Sequence, residues 1–248
     1  MNVRWITAGL LMVFGVGCAT VPYTNRKQLS LVSEEQENQL GLQAYADVKA
    51  KNKISNDARL NEMVTRVGKR VAAAADKPNW DWQFTVIDDP KTMNAFCLPG
   101  GRIAVYTGIL PVTKDEDGLA VVVAHEVAHA LAHHGAERMS DQMAAGLAMN
   151  ILLAGKSPEA VRLTEMAYGV TVELPHGRKQ ESESDHIGLI LMAKAGYDPR
   201  KAVDFWQRMA ASSGGNKPPE FLSTHPSDAR RIDEIKAELP EALTYYHP

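Results

Sequence analysis

The sequence predicts a mainly helical α+β fold with a small antiparallel sheet beside a buried central helix. Three observations carry this. Apolar residues recur at helical spacing in several stretches, as Leu60, Met63, Val64, Val67 and Val71 do. Two segments alternate or run like strands: "WDWQFTVID", with Trp82, Phe84 and Val86 on one face, and "RIAVYTGIL". Finally, "LAVVVAHEVAHALAHH" (119–134) is apolar enough for a core, yet His125, Glu126 and His129 sit in its middle. Burying such groups without partners costs several kcal/mol, so the helix must supply a reason for them.

The chain has 248 residues, 45% hydrophobic and 23% charged, which suits one globular domain, or one domain with appended helices. Its net charge of −3 offers no basic field for nucleic acid. At the N-terminus, Arg4 precedes an apolar run, Ile6 to Val16, too short to span a membrane, and then Cys18. This predicts a lipoprotein signal peptide over 1–17, with Cys18 lipidated; the alternative is an ordinary cleaved signal with an incidental cysteine. Ala19 after the cysteine points to the outer membrane of a Gram-negative bacterium, hence a lipid-anchored periplasmic protein. Cys97 is the only other cysteine and reads as a small buried hydrophobe.

Residues 18–33 read as an extended arm, and 34–248 as the folded domain. Ser33 and Gln36 form a capping box opening a helix to about Lys51. A second helix runs from about Asp57 to Ala75, broken at Lys77-Pro78-Asn79. "DPKTMNAFCLPGG" is a turn-rich connection between the two strands. Thr113 and Glu116 form a capping box for the central helix, which extends to about His134. An apolar helix follows over about Arg138 to Leu153. Another has Glu181 near its start and ends at Ala195, with Gly196 as C-cap. A helix near 200–211, a loop at "SSGGNKPPE" and a last helix within "THPSDARRIDEIKAEL" complete the chain.

His125, Glu126 and His129 form H-E-x-x-H. Positions i and i+4 share one helix face, so the two imidazoles can bind one Zn²⁺, which prefers four tetrahedral N, O or S ligands. Glu126 stands beside them as general base. A third histidine six residues after His129 is ruled out, because Gly135 is there. The candidate third ligand is Glu181 in "KQESESDHIGL". Asp185, one turn on, can accept the free ring N–H of a ligating histidine. Glu183 points elsewhere on the helix wheel and reads as surface. His133 and His134 read as a solvated helix end.

These motifs, with "VPYTNRKQLSLVSEEQENQLG", "MNAFCLPGGRIAVYTGIL", "AGYDP" and "STHP", resemble peptidase family M48, zinc metallopeptidases, in its periplasmic lipoprotein branch. The resemblance implies a gluzincin-type domain, metal ligands His125, His129 and Glu181, the base Glu126, and Asp185 behind the ligands. It also implies a substrate-pairing edge strand at "PGGRIAVYTG", placing Gly101, Ile103, Ala104 and Val105 against an extended peptide. Asn94 binds substrate backbone or holds a turn. His225 is a fourth ligand, an oxyanion donor, or a satisfied core histidine, and Arg231 helps hold the oxyanion. The departures are Asn25, Cys97, and His176-Gly177 in a segment near the cleft.

The resemblance thus implies a zinc endopeptidase acting on misfolded or misassembled cell-envelope proteins. The alternative is a chaperone-like factor working with outer-membrane assembly machinery, its peptidase activity latent.

Overall fold

The computed structural model describes residues 17–154, 157, 159, 174–212, 219–226 and 229–247. The signal-peptide expectation, most of the "SSGGNKPPE" loop and the side chain of His176 lie outside these. Cys18 lies inside them, exposed on the first strand with its thiol free.

The N-terminal arm is a hairpin rather than a single extended segment. Strand β1 (Gly17–Thr20) pairs antiparallel with β2 (Lys27–Ser30). Helix α1 (Glu34–Lys51) opens on the expected capping box: the Gln36 N–H donates to Ser33 Oγ, and the Ser33 N–H donates to Gln36 Oε1. Helix α2 (Ala58–Ala74) is capped by Asp57, which accepts from the N–H groups of Arg59 and Leu60. Its buried face is Val64, Val67, Gly68, Val71 and Ala72. Gly68 is required there, because a Cβ would stand 2.3 Å from the Phe84 ring.

The sheet contains a strand absent from the expectation. Between β3 (Gln83–Ile87) and β5 (Arg102–Tyr106), residues Ala95–Leu98 form β4, and the order is β3-β5-β4. The sheet is therefore mixed, not antiparallel: β3 runs parallel to β5, and β4 antiparallel to it. Pro99-Gly100-Gly101 turns β4 into β5, with Gly100 and Gly101 at φ +82° and +86°, where a side chain would be strained.

A short helix α3 (Leu110–Thr113) leads into the central helix α4 (Glu116–Leu131). Its cap is Asp115, which accepts from the Gly118 N–H; the expected cap Thr113 instead donates to the Leu110 carbonyl. From Gly118 to Ala132 every residue but His129 is buried. The helix packs against α2, β4, α6 (Leu174–Lys194) and α7 (Lys201–Ala211), and α9 (Ala229–Leu243) packs on α6 and α7. Helices α5 (His134–Leu152) and α8 (Glu220–Thr224) and a 3-10 turn at Thr107–Ile109 complete the described elements. Among the described residues no helix is long and apolar enough to cross a membrane.

Candidate active site

Helix α4 presents His125 and His129 on one face, and α6 lies against it. Gly188 allows this approach: a Cβ there would stand 3.2 Å from the His125 Cα and N. The contact brings Glu181 and Asp185 to the two histidines. The short helix α8 ends at His225, whose ring packs on Phe221 and turns into the same space.

Four donors converge. His125 Nε2 lies 3.1 Å from His129 Nε2 and 3.2 Å from His225 Nδ1. Glu181 lies 3.0 Å from His225 Nδ1, 3.2 Å from His129 Nε2 and 3.3 Å from His125 Nε2. A tetrahedral ion with bonds of about 2.0–2.1 Å holds its donors about 3.3 Å apart, so this set has the spacing of a closed shell. Imidazoles and one carboxylate are also the donor types that a borderline metal prefers. Although burial opposes its ionisation, the imidazoles of His125, His129 and His225 hold the Glu181 carboxyl well below the usual carboxylate range. Burial keeps His129 neutral, the form a ligand needs.

Glu126 faces the same space from α4. Its Oε1 is buried without a hydrogen-bond partner, although His225 Nε2 is 3.3 Å away. Burial pushes its carboxyl above the ordinary range. Behind the donors, Asp185 Oδ1 lies 3.0 Å from His125 Nδ1, close enough to pair although the angle is not that of a hydrogen bond.

Arg231 does something other than expected. Its Nε and Nη2 grip Asp185 at 2.7 and 2.8 Å, its Nη1 donates to the Pro226 carbonyl, and its guanidinium lies 3.5 Å over Trp206. With its fork committed this way, it braces Asp185 and Glu181, 3.2 Å away, rather than reaching for an oxyanion. Asn94 is likewise committed: its amide donates to Glu220 Oε1 and accepts from the Ala95 N–H, which is the turn role.

The substrate edge is corrected by the sheet order. β5 is the central strand, so Ile103, Ala104 and Val105 are fully enclosed, and Gly101 shapes the hairpin. The open edge belongs to β4. Because the Tyr106 N–H donates to the Asn94 carbonyl, Asn94, Phe96 and Leu98 face β5. By alternation the Cys97 N–H and C=O and the Ala95 C=O face away from it. This edge lines a cleft of about 760 Å³ that also holds Glu126, His129, Glu181 and His225.

Two further corrections concern residues read as solvated. His134 is fully buried, and Glu183 is buried between it and Arg26 of the N-terminal hairpin. His133 pairs with Glu37 at 3.0 Å. Neither periodicity nor composition signals these contacts, since each joins segments distant in sequence.

The sequence model of Peptidase family M48 matches residues 58–239, which include the four donors, Glu126, Asp185 and Arg231. The chain belongs to peptidase family M48. It is a metallopeptidase, and the donor cluster is where the M48 metal fits. The chain is similar to the Mitochondrial metalloendopeptidase OMA1 of Schizosaccharomyces pombe, 38% identical over 96% of this chain and 73% of that one. It is similar to the protein of the same name from Saccharomyces cerevisiae, 31% identical over 96% and 75%. It is also 28% identical to the Beta-barrel assembly-enhancing protease of Escherichia coli, over 90% of this chain and 48% of that one. The two relatives of higher identity carry mitochondrial names. This overturns the expectation of a lipid-anchored periplasmic protein at the outer membrane.

Proposed function

We propose that this M48 peptidase is a zinc endopeptidase that cleaves extended segments of unfolded or misfolded proteins. The observation that carries the reading is the buried Glu126 carboxylate, its Oε1 without a hydrogen bond, facing the converging donors beside an open strand edge. His125, His129 and Glu181 would hold the zinc and leave its fourth position to water, and the bound ion would supply Lewis acidity to polarise a carbonyl and activate that water.

The chain's own groups do the rest. The edge of β4 pairs with an extended peptide through main-chain hydrogen bonds, which selects unfolded segments over folded ones. Glu126 takes a proton from the attacking water and delivers it to the leaving amine. Burial raises its carboxyl above the ordinary range, which strengthens it as a base. Asp185, gripped by Arg231, keeps His125 in the tautomer whose Nε2 faces the donor set.

A second reading is favoured by one observation: His225 completes the donor set. With all four positions filled, the resting protein is latent, and the cleft then acts as a holdase for unfolded chains. Casein cleavage by the full chain separates the two readings. The peptidase reading predicts cleavage that is lost with chelator, restored by Zn²⁺ and abolished by Glu126→Gln. The latent reading predicts little cleavage until His225→Ala opens the fourth position.

A further inference from the structure

Asp185 stands behind His125, and the outer nitrogen of His129, Nδ1, calls for a partner of its own. The structure supplies one from an unexpected place. Helix α4 ends at Leu131, and two residues on His133 adopts the left-handed conformation at φ 54°. In an unbroken helix, residue 134 would stand about 140° around the axis from residue 129. The bend instead carries His134 back under its neighbour, and His134 Nδ1 lies 2.9 Å from His129 Nδ1.

We infer that His134, clamped by Glu183 and Arg26, is a positioning residue that fixes the tautomer and ring angle of His129. This rests on the metal site proposed above. The proton positions follow from the contacts. His134 Nε2 lies 3.0 Å from Glu183 Oε2, and a carboxylate only accepts, so the proton sits on Nε2. With its one proton on Nε2, the neutral ring presents Nδ1 as an acceptor toward His129. Ser184 Oγ lies 3.3 Å from the same nitrogen, compatible with its accepting. His129 can then donate from Nδ1, which leaves its Nε2 lone pair for a metal held beside Glu181.

Glu183 is itself fixed from the N-terminal hairpin. Arg26 Nε donates to its Oε2 at 2.9 Å, and Thr24 Oγ1 donates to its Oε1. The far end of Arg26 grips the buried Glu137, which also accepts from Gln180 Nε2 at 2.7 Å. The turn between β1 and β2 thus reaches a proposed metal ligand through two side chains, mirroring the Arg231–Asp185–His125 arrangement on the other histidine.

The test is Zn²⁺ competition against a chromogenic chelator on the full chain, with ¹⁵N spectroscopy of the histidine rings. His134→Ala is expected to weaken Zn²⁺ binding about 10–100-fold. His134→Gln can accept from His129 and donate to Glu183, so it is expected to recover most of that loss. The wild-type His129 ring is expected to carry its proton on Nδ1, a readout that needs no variant to fold. Unchanged affinity in His134→Ala, even with a lowered apo melting temperature, overturns the inference, as does a His129 proton on Nε2. Wild type that binds no Zn²⁺ overturns the metal reading together with it.

Discussion

Gly188→Ala tests how closely the two site-bearing helices must approach. The added Cβ would stand 3.2 Å from the backbone N and Cα of His125 and 3.4 Å from the Ala124 carbonyl carbon. Carbon atoms pack best at about 3.5–4.0 Å, so α6 and α4 must part by about 0.3–0.5 Å. Metal shells tolerate errors of about 0.2 Å, so that shift lies outside tolerance and Zn²⁺ affinity should fall about tenfold or more. Stability is a poorer readout. Overpacking costs about 1–3 kcal/mol, but alanine is better than glycine in a helix by about 1 kcal/mol, and the two partly cancel. Gly146→Ala is the control, because nothing lies within 4 Å of that position on α5 and the propensity gain stands alone. Chelator competition and apo thermal melts on both variants decide it. Wild-type Zn²⁺ affinity in Gly188→Ala would refute the argument that this contact sets the ligand spacing.

Three other outcomes follow from the same geometry. Burial, with Asp185, Glu234 and Glu241 adding to it, pushes the Glu238 carboxyl from the ordinary 4.5 up to about 8. The folded chain then holds a proton that the unfolded chain releases, so stability should fall as pH rises from 4.5 through 8. The ceiling on that loss is about 5 kcal/mol, reduced because water reaches part of the group. Urea unfolding at pH 6 and pH 9 should show a shallower loss for Glu238→Gln, and identical slopes would contradict the assignment. His225→Ala should retain metal with weakened affinity and cleave casein faster than wild type if the fourth donor blocks the resting site; slower cleavage would instead make His225 a helper of the reaction. Peptide substrates N-methylated at alternate positions should show raised KM from lost pairing with the β4 edge, whereas an unchanged KM would remove that edge from binding.

Local signals read correctly where the physics is local. The Ser33–Gln36 box, the H-E-x-x-H spacing and the one-turn spacing of Glu181 and Asp185 each depend on a few consecutive residues. Long-range contacts were illegible. β4 hides in a stretch rich in Asn, Pro and Gly, because its four residues are held by the β5 register rather than by alternation. Glu183 does point away from the donor set, as the helix wheel requires, but the hairpin covers that side and supplies Arg26. His134 looked like a frayed end because nothing in the sequence marks the left-handed turn at His133. The expected substrate strand failed for a topological reason: one strand further out lies between it and the cleft.

The most direct measurement is metal content and casein cleavage, side by side, on the full chain and on Glu126→Gln. The account predicts one Zn²⁺ per chain in both proteins and chelator-sensitive cleavage in the wild type alone. Cleavage by Glu126→Gln at the wild-type rate would contradict it, as would a wild type that cleaves with no metal bound.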